Sequence, residues 1–277
     1  PMKNRLLQLF NIRSNEAWLV SNLFWLQFFQ GVGVAIFNTA AFALFLQEFD
    51  VKALPKVYIF SALLLWVAGY VYSKVEHAIS IKTLVPLVIL FLAGSILFLR
   101  IQFAISSAPF FLFLMFSWYF VIYLLSNLEF WGVAALLFDI RQSKRLFGMI
   151  GAGDIPAKLI GYSGVLVLVQ YVSSENLLIL SCASMLCALI FYYRLRKAGK
   201  LDIHIEHQHE HHEQAATTDL REIIKGFFGN RMIAMVAALS FIVVTIVTIV
   251  SFSFYAEIKH EAHSDEQLAA FIASFFA

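Results

Sequence analysis

The feature that most constrains this chain is the recurrence of long apolar runs separated by short polar connections. A helix needs roughly 20 apolar residues to cross the ~30 Å hydrocarbon core of a bilayer. Seven runs read as such spans: 17–47, 56–73, 83–101, 109–138, 155–172, 175–195 and 231–256. An eighth begins after Gln267 (LAAFIASFFA) and is too short to cross. The first run, at 1.5 Å per residue, overshoots the bilayer, so it is expected to tilt or protrude. Only helices and closed barrels satisfy all their backbone polar groups in lipid. Long uninterrupted runs point to helices. The expected fold class is all-α, a polytopic membrane protein.

Composition points the same way. Hydrophobic residues make up 61% of the chain and charged residues 14%, against roughly 25% charged in soluble domains. A chain so poor in charge cannot cover itself with a polar surface, so the lipid bilayer is its first partner. The net charge of +2 comes from basic residues scattered among loops. That distribution argues against a nucleic-acid partner, which needs a gathered basic patch. Cys182 and Cys187 lie five apart on one predicted helix, pointing about 140° apart. They suit neither a disulfide nor a metal site, and read as packing residues.

Lysine and arginine set the orientation. With the N-terminus inside, fifteen of the 20 fall on the cytoplasmic side, and Lys52, Lys56, Arg100 and Lys259 fall outside. Lys158, in the first turn of the fifth run, completes the set. This is the positive-inside pattern; it predicts a cytoplasmic N-terminus. Lys3, Arg5 and Arg13 precede a run too long for a signal-peptide core, so that run reads as a retained span. The long connection then divides the chain. Residues 1–196 are an expected six-helix bundle, and 197–230 a cytoplasmic His-rich linker with an amphipathic stretch, LREIIKGFFGNR. Residues 231–277 are the expected start of a second bundle, in a piece of a longer protein. Six spans, a linker and more spans is the layout of transporters built from two halves.

Within this frame one acidic residue stands deep in an apolar run: Glu129. A carboxylate there costs several kcal/mol unless it faces the protein interior or a water-filled cavity. Ser126 and Gly132 flank it on the same helical face. The expectation is a substrate or proton contact in a central cavity. The alternative is a buried glutamate bonded to a neighbour and kept for packing specificity. Gln27, Gln30 and Asn38 form an uncharged polar stripe on the first span, with Gly31 among them. Such a stripe either lines a cavity or makes ordinary interhelical hydrogen bonds. Together Glu129, Gln27, Gln30, Asn38 and Ser126 are the candidate substrate-binding set.

The connection Arg141 to Arg145 reads as a positive-inside loop. Gly148, Gly151 and Gly153 follow it without the G-x-G-x-x-G spacing or a preceding strand, so a dinucleotide loop is unsupported. Asp154 is expected to cap the fifth helix, with Pro156 in its first turn. Asp154 and Lys158 can pair at i,i+4. Gly153, Ala157 and Gly161 form a small-residue face suited to close helix packing. In the linker, His207, His209 and His211 offer at most an adventitious site for Zn²⁺ or Ni²⁺; a solvated linker is the expected role. The chain shows no nucleophile elbow, HExxH or Walker motif, so neither an enzyme nor a cofactor is expected.

Several of these residues also form a recognisable pattern. Glu129-Phe130-Trp131-Gly132, then Lys144-Arg145-x-Phe147 and Gly151-x-Gly153, resemble the ATP/ADP translocase-type nucleotide transporters of plastids and intracellular bacteria, and their relatives in free-living bacteria. In that family the corresponding pieces look like E-L-W-G, K-R-F-Y and G-x-G-A-N. Phe49 to Tyr58 (FDVKALPKVY) and Phe254 to Phe271 are similar to the bacterial relatives. The likeness covers most of the chain loosely and a few tens of residues well. It implies a twelve-helix, major-facilitator-like carrier working by alternating access, with Glu129 standing where the family's fourth-helix glutamate stands. The family's first-span lysine, which helps hold phosphates, has no counterpart: Asn38-Thr39-Ala40-Ala41 occupies that region. The expected function is a membrane carrier for a nucleotide or other organic anion. The alternative is a membrane sensor or scaffold that kept the fold and lost transport.

Overall fold

The structure, a computed structural model, describes residues 13, 16–106, 108–197, 229–261 and 265–276. His207, His209, His211 and most of the linker lie outside the described residues. Among the described residues there are nine α-helices: α1 (Ala17–Glu48), α2 (Leu54–Ala78), α3 (Ile81–Ile105), α4 (Pro109–Leu137), α5 (Ile140–Gly151), α6 (Asp154–Leu168), α7 (Ser174–Lys197), α8 (Arg231–Glu261) and α9 (Asp265–Phe276). A single 3-10 turn, Val51–Ala53, leads into α2, and no strand occurs among the described residues. Among the described residues six helices are long and apolar enough to cross a membrane: α1, α2 with its leading turn, α3, α4, α7 and α8. This is an all-α, multi-pass membrane protein.

Interhelical bonds fix the up-and-down order. Ser184 and Ser181 of α7 donate to the Phe29 and Gly33 carbonyls of α1 at 2.7 and 2.6 Å, so α7 runs antiparallel to α1. Cys182 of α7 reaches the Ala93 carbonyl of α3 at 3.4 Å, and Tyr192 the Lys82 carbonyl at 3.0 Å, an antiparallel pair again. Phe42 and Phe45 of α1 meet Phe116 of α4 near one end, and Gln30 meets Glu129 further down. The start of α1 therefore lies with the end of α4, the start of α3 and the end of α7. Lys82, Arg194 and Arg196 share that end.

The fifth span differs from its expected form. The basic stretch read as a loop is helical, α5, and α6 ends at Leu168 instead of 172. Ala152 and Gly153 between them keep right-handed helical dihedrals. The interruption is caused by Pro156, which has no N–H for the Ala152 carbonyl; the Ile155 N–H takes that carbonyl instead, at 3.3 Å. Alone, α6 spans roughly 22 Å at 1.5 Å per residue, less than the bilayer core. With α5 it follows α1 in parallel: Arg145 meets Glu16, Gly153 meets Phe24, Ala157 meets Gly31, and Tyr162 meets Asn38. Residues 140–168 thus run beside α1 as one interrupted helix. Asp154 does not cap α6: Gly153 precedes the helix and no side chain caps it.

The small-residue face packs as expected. A Cβ at Gly31 would stand 2.7 Å from that of Ala157, and one at Gly161 would stand 2.8 Å from that of Ala35. On its other side, Gly33 lets α7 approach, with the Ser181 carbonyl 3.1 Å from where a Cβ would be. In lipid there is no hydrophobic drive between helices, so such close contacts hold the bundle. Gly31→Val is expected to lower stability by about 1–3 kcal/mol through overpacking, read as a lower unfolding midpoint in detergent. Gly69→Ala on α2 meets open space, and should leave the midpoint unchanged or raise it.

α1 is the buried hub, touched by α4, α5, α6, α7 and α9. α2 and α8 instead present wide apolar surfaces, including Trp66, Leu63, Phe241 and Val244, as lipid-facing helices do. Tyr255 is the one buried side chain of α8 among the described residues, its ring centroid 3.8 Å from that of Phe42 with the planes tilted by 35°. α9 packs on α1 and α6.

Candidate functional site

Polar side chains line up along α1 in three levels. At the basic end Glu16, 5% exposed, accepts both of its short contacts from the Arg145 guanidinium, at 2.6 and 2.7 Å. Gln142 Nε2 adds a third at 3.2 Å. Gln142 also accepts from the Asp139 N–H at the start of α5, which orients that helix end.

The middle level holds most of the predicted set. The Gln30 amide of α1 donates to the Glu129 carboxyl of α4, and Glu129 has no exposed surface. Ser126, one turn earlier on α4, is buried beside it. Tyr72 of α2 joins from the third side. Its hydroxyl lies 3.9 Å from where a Cβ of Gly132 would be. Four buried atoms here have no hydrogen-bond partner: Glu129 Oε2, Gln30 Oε1, Ser126 Oγ and Tyr72 Oη. Gln27 is buried a turn below Gln30. Asn38 stands apart, about 12 Å further along α1 at 1.5 Å per residue, and donates to Tyr162 Oη of α6 at 3.3 Å. The structure therefore joins Gln30, Glu129 and Ser126, and gives Asn38 a different partner.

The expected Asp154–Lys158 pair forms, but deeper than the first turn of a fifth span would set it. Lys158 Nζ pairs with Asp154 Oδ2 at 2.7 Å and lies 5.3 Å over the Tyr123 ring of α4, within cation–π range. Asp154 meets Gly31, which is roughly 21 Å along α1 from its start. The pair is thus at mid-length along α1, and not at the basic end of the bundle. Its side chains remain 31% and 29% exposed. A charged pair at this depth is costly against hydrocarbon, and belongs to a protein interior or an aqueous cavity. The signal was the proline: treating Pro156 as an interruption instead of a beginning moves Lys158 to mid-span.

The three sequence pieces that carry the family likeness meet in space. Trp131 packs 5.4 Å from Phe147 and fills the site where a Gly151 Cβ would be, its ring 3.0 Å away. Arg145 between them holds Glu16. Among the described residues no group of three or more His, Cys, Asp or Glu side chains is arranged to hold a metal ion. No family model, curated protein or solved structure matches the chain.

Proposed function

We propose that this protein is a membrane carrier that moves a nucleotide or other organic anion across a bacterial inner membrane by alternating access. The N-terminus lies on the cytoplasmic side. The arrangement is that of major-facilitator-like carriers, a six-helix bundle followed by the start of a second. The observation that carries the reading is the mid-depth Lys158–Asp154 pair, partly exposed, with Lys158 above Tyr123 and Asp154 beside Gly31, the residue next to Gln30. A lysine held by one aspartate can trade that partner for the carboxylate or phosphate of a solute, while Tyr123 offers a flat face to an organic body. Lys158 supplies the positive charge that the first span lacks. The basic ends gathered at one face support the orientation, and the Glu129 to Gly153 likeness supports the class of carrier.

The test is uptake of labelled ATP, ADP and a dicarboxylate by the protein in liposomes loaded with the unlabelled compound. Uptake above protein-free liposomes is the expected result. Absence of exchange for every organic anion tried would remove the carrier reading. A second reading, a sensor or scaffold with a carrier-like fold, is favoured by the enclosure of Glu129. It predicts anion binding without flux.

A further inference from the structure

Glu129 has no exposed surface, and its one hydrogen bond comes from a neutral group, the Gln30 amide of α1. It forms no ion pair with any described residue. Three helices pack against α4: α1, α2 and α3. On α1 the nearest ionisable side chain is Glu16, roughly 21 Å along the helix from Gln30. α2 brings the Tyr72 phenol beside Gly132, with Glu76 exposed a turn further on. α3 brings Ile81 to Gly132, and Lys82 follows it. Across α1, Asp154 of α6 lies beside Gly31 and is paired with Lys158. An ionised carboxylate enclosed in this way, facing only an amide, is costly, and such a group is neutralised instead.

The unpartnered atoms indicate where the proton sits. Gln30 Oε1 and Glu129 Oε2 are both buried without a hydrogen-bond partner. An amide oxygen and a carboxylate oxygen are both acceptors, so they cannot bond one another at any separation. Each shares its carbon with an atom already engaged in the Gln30–Glu129 bond. A proton on Glu129 Oε2 makes that oxygen a donor. Both orphaned atoms then gain a partner at once, in a two-bond ring of acid and amide.

We propose that Glu129 is a proton-binding site: its carboxyl holds a proton on Oε2 and donates it to Gln30 Oε1, while the Gln30 amide donates to Glu129 Oε1. The ring ties α4 to α1 without net charge, and Gln30 is its positioning residue. Release breaks the O–H bond, passes the proton to water admitted between α1 and α4, and leaves a carboxylate on the Gln30 N–H. Lys158 and Tyr123 are left to the organic anion. The coupling of this proton to transport rests on the carrier reading; its binding does not.

The experiment is infrared difference spectroscopy of the purified protein in detergent at neutral pH, wild type against Glu129→Gln. The expected result is the carbonyl stretch of a protonated carboxyl in wild type, lost in the variant. Deuterium oxide and ¹³C-labelled glutamate should each shift that band in wild type, a readout that needs no variant to fold. Gln30→Leu should keep the band and move it to higher frequency, because a carboxyl released from its hydrogen bonds vibrates faster. Only carboxylate stretches from the wild-type glutamates would overturn the site. So would a band that survives in Glu129→Gln, which puts the proton elsewhere. A band that stays in place in Gln30→Leu would overturn the ring. In liposomes, anion uptake should respond to an imposed proton gradient, and uptake indifferent to it would overturn the coupling. The protonated band without anion flux would keep the site and remove the carrier. Flux with an ionised Glu129 would do the reverse.

Discussion

Lys158→Gln is expected to reduce anion uptake about ten- to a hundredfold, mainly through apparent affinity. The size follows from removing a hydrogen bond to a charged group, about 1.5–3 kcal/mol, at 1.4 kcal/mol per tenfold. Lys158→Arg keeps the charge and should retain much of the uptake. Asp154→Asn is the more telling variant. It removes the partner that holds Lys158 at 2.7 Å, so apparent affinity for the anion should be maintained or improved, with slower release. If Lys158→Gln transports as well as wild type, Lys158 is a packing charge and the anion is held elsewhere. Parallel loss in Lys158→Gln and Asp154→Asn would show that the intact pair matters to the fold instead of to the solute.

The second large effect concerns stability at the basic end. Arg145→Ala leaves Glu16 buried, with the Gln142 amide and the Arg13 N–H as its remaining donors shown here. Breaking one side of a buried pair typically costs 3–5 kcal/mol. Arg145 is about one-fifth exposed, which screens the pair in part, so a loss of about 2–3 kcal/mol is expected. Glu16→Gln together with Arg145→Gln should recover most of it, because the uncompensated charge is gone. Unfolding midpoints of the single and double variants in detergent measure this. A double variant as unstable as Arg145→Ala would mean that shape, not charge, binds α5 to α1.

Six of the seven expected spans appear where the apolar runs lie, because a run of about 20 apolar residues in a bilayer has one stable conformation. Where polar residues interrupt the run, hydropathy loses the helix. Residues 139–158 mix five basic or acidic side chains ahead of Pro156 with three glycines, and the helix there is visible only through its contacts with α1. Glu129 stands out in the sequence because a carboxyl inside an apolar run is anomalous by itself. Its partners do not. Gln30 was found as one member of a polar stripe, while Tyr72 and Tyr123 look like any tyrosines on lipid-exposed helices. Their roles depend on which helix lies beside which, and one chain's periodicity does not contain that.

Pro86 and Pro156, which lie beyond the opening two positions of their helices, have an outcome that reaches past local geometry. Pro86 leaves the Lys82 carbonyl without its usual donor, and the Tyr192 hydroxyl of α7 supplies one. Pro156 does the same to Ala152, and Ile155 answers from the next turn. Both weak points in the scaffold are therefore closed by the protein itself, and hydrocarbon never meets a bare dipole there.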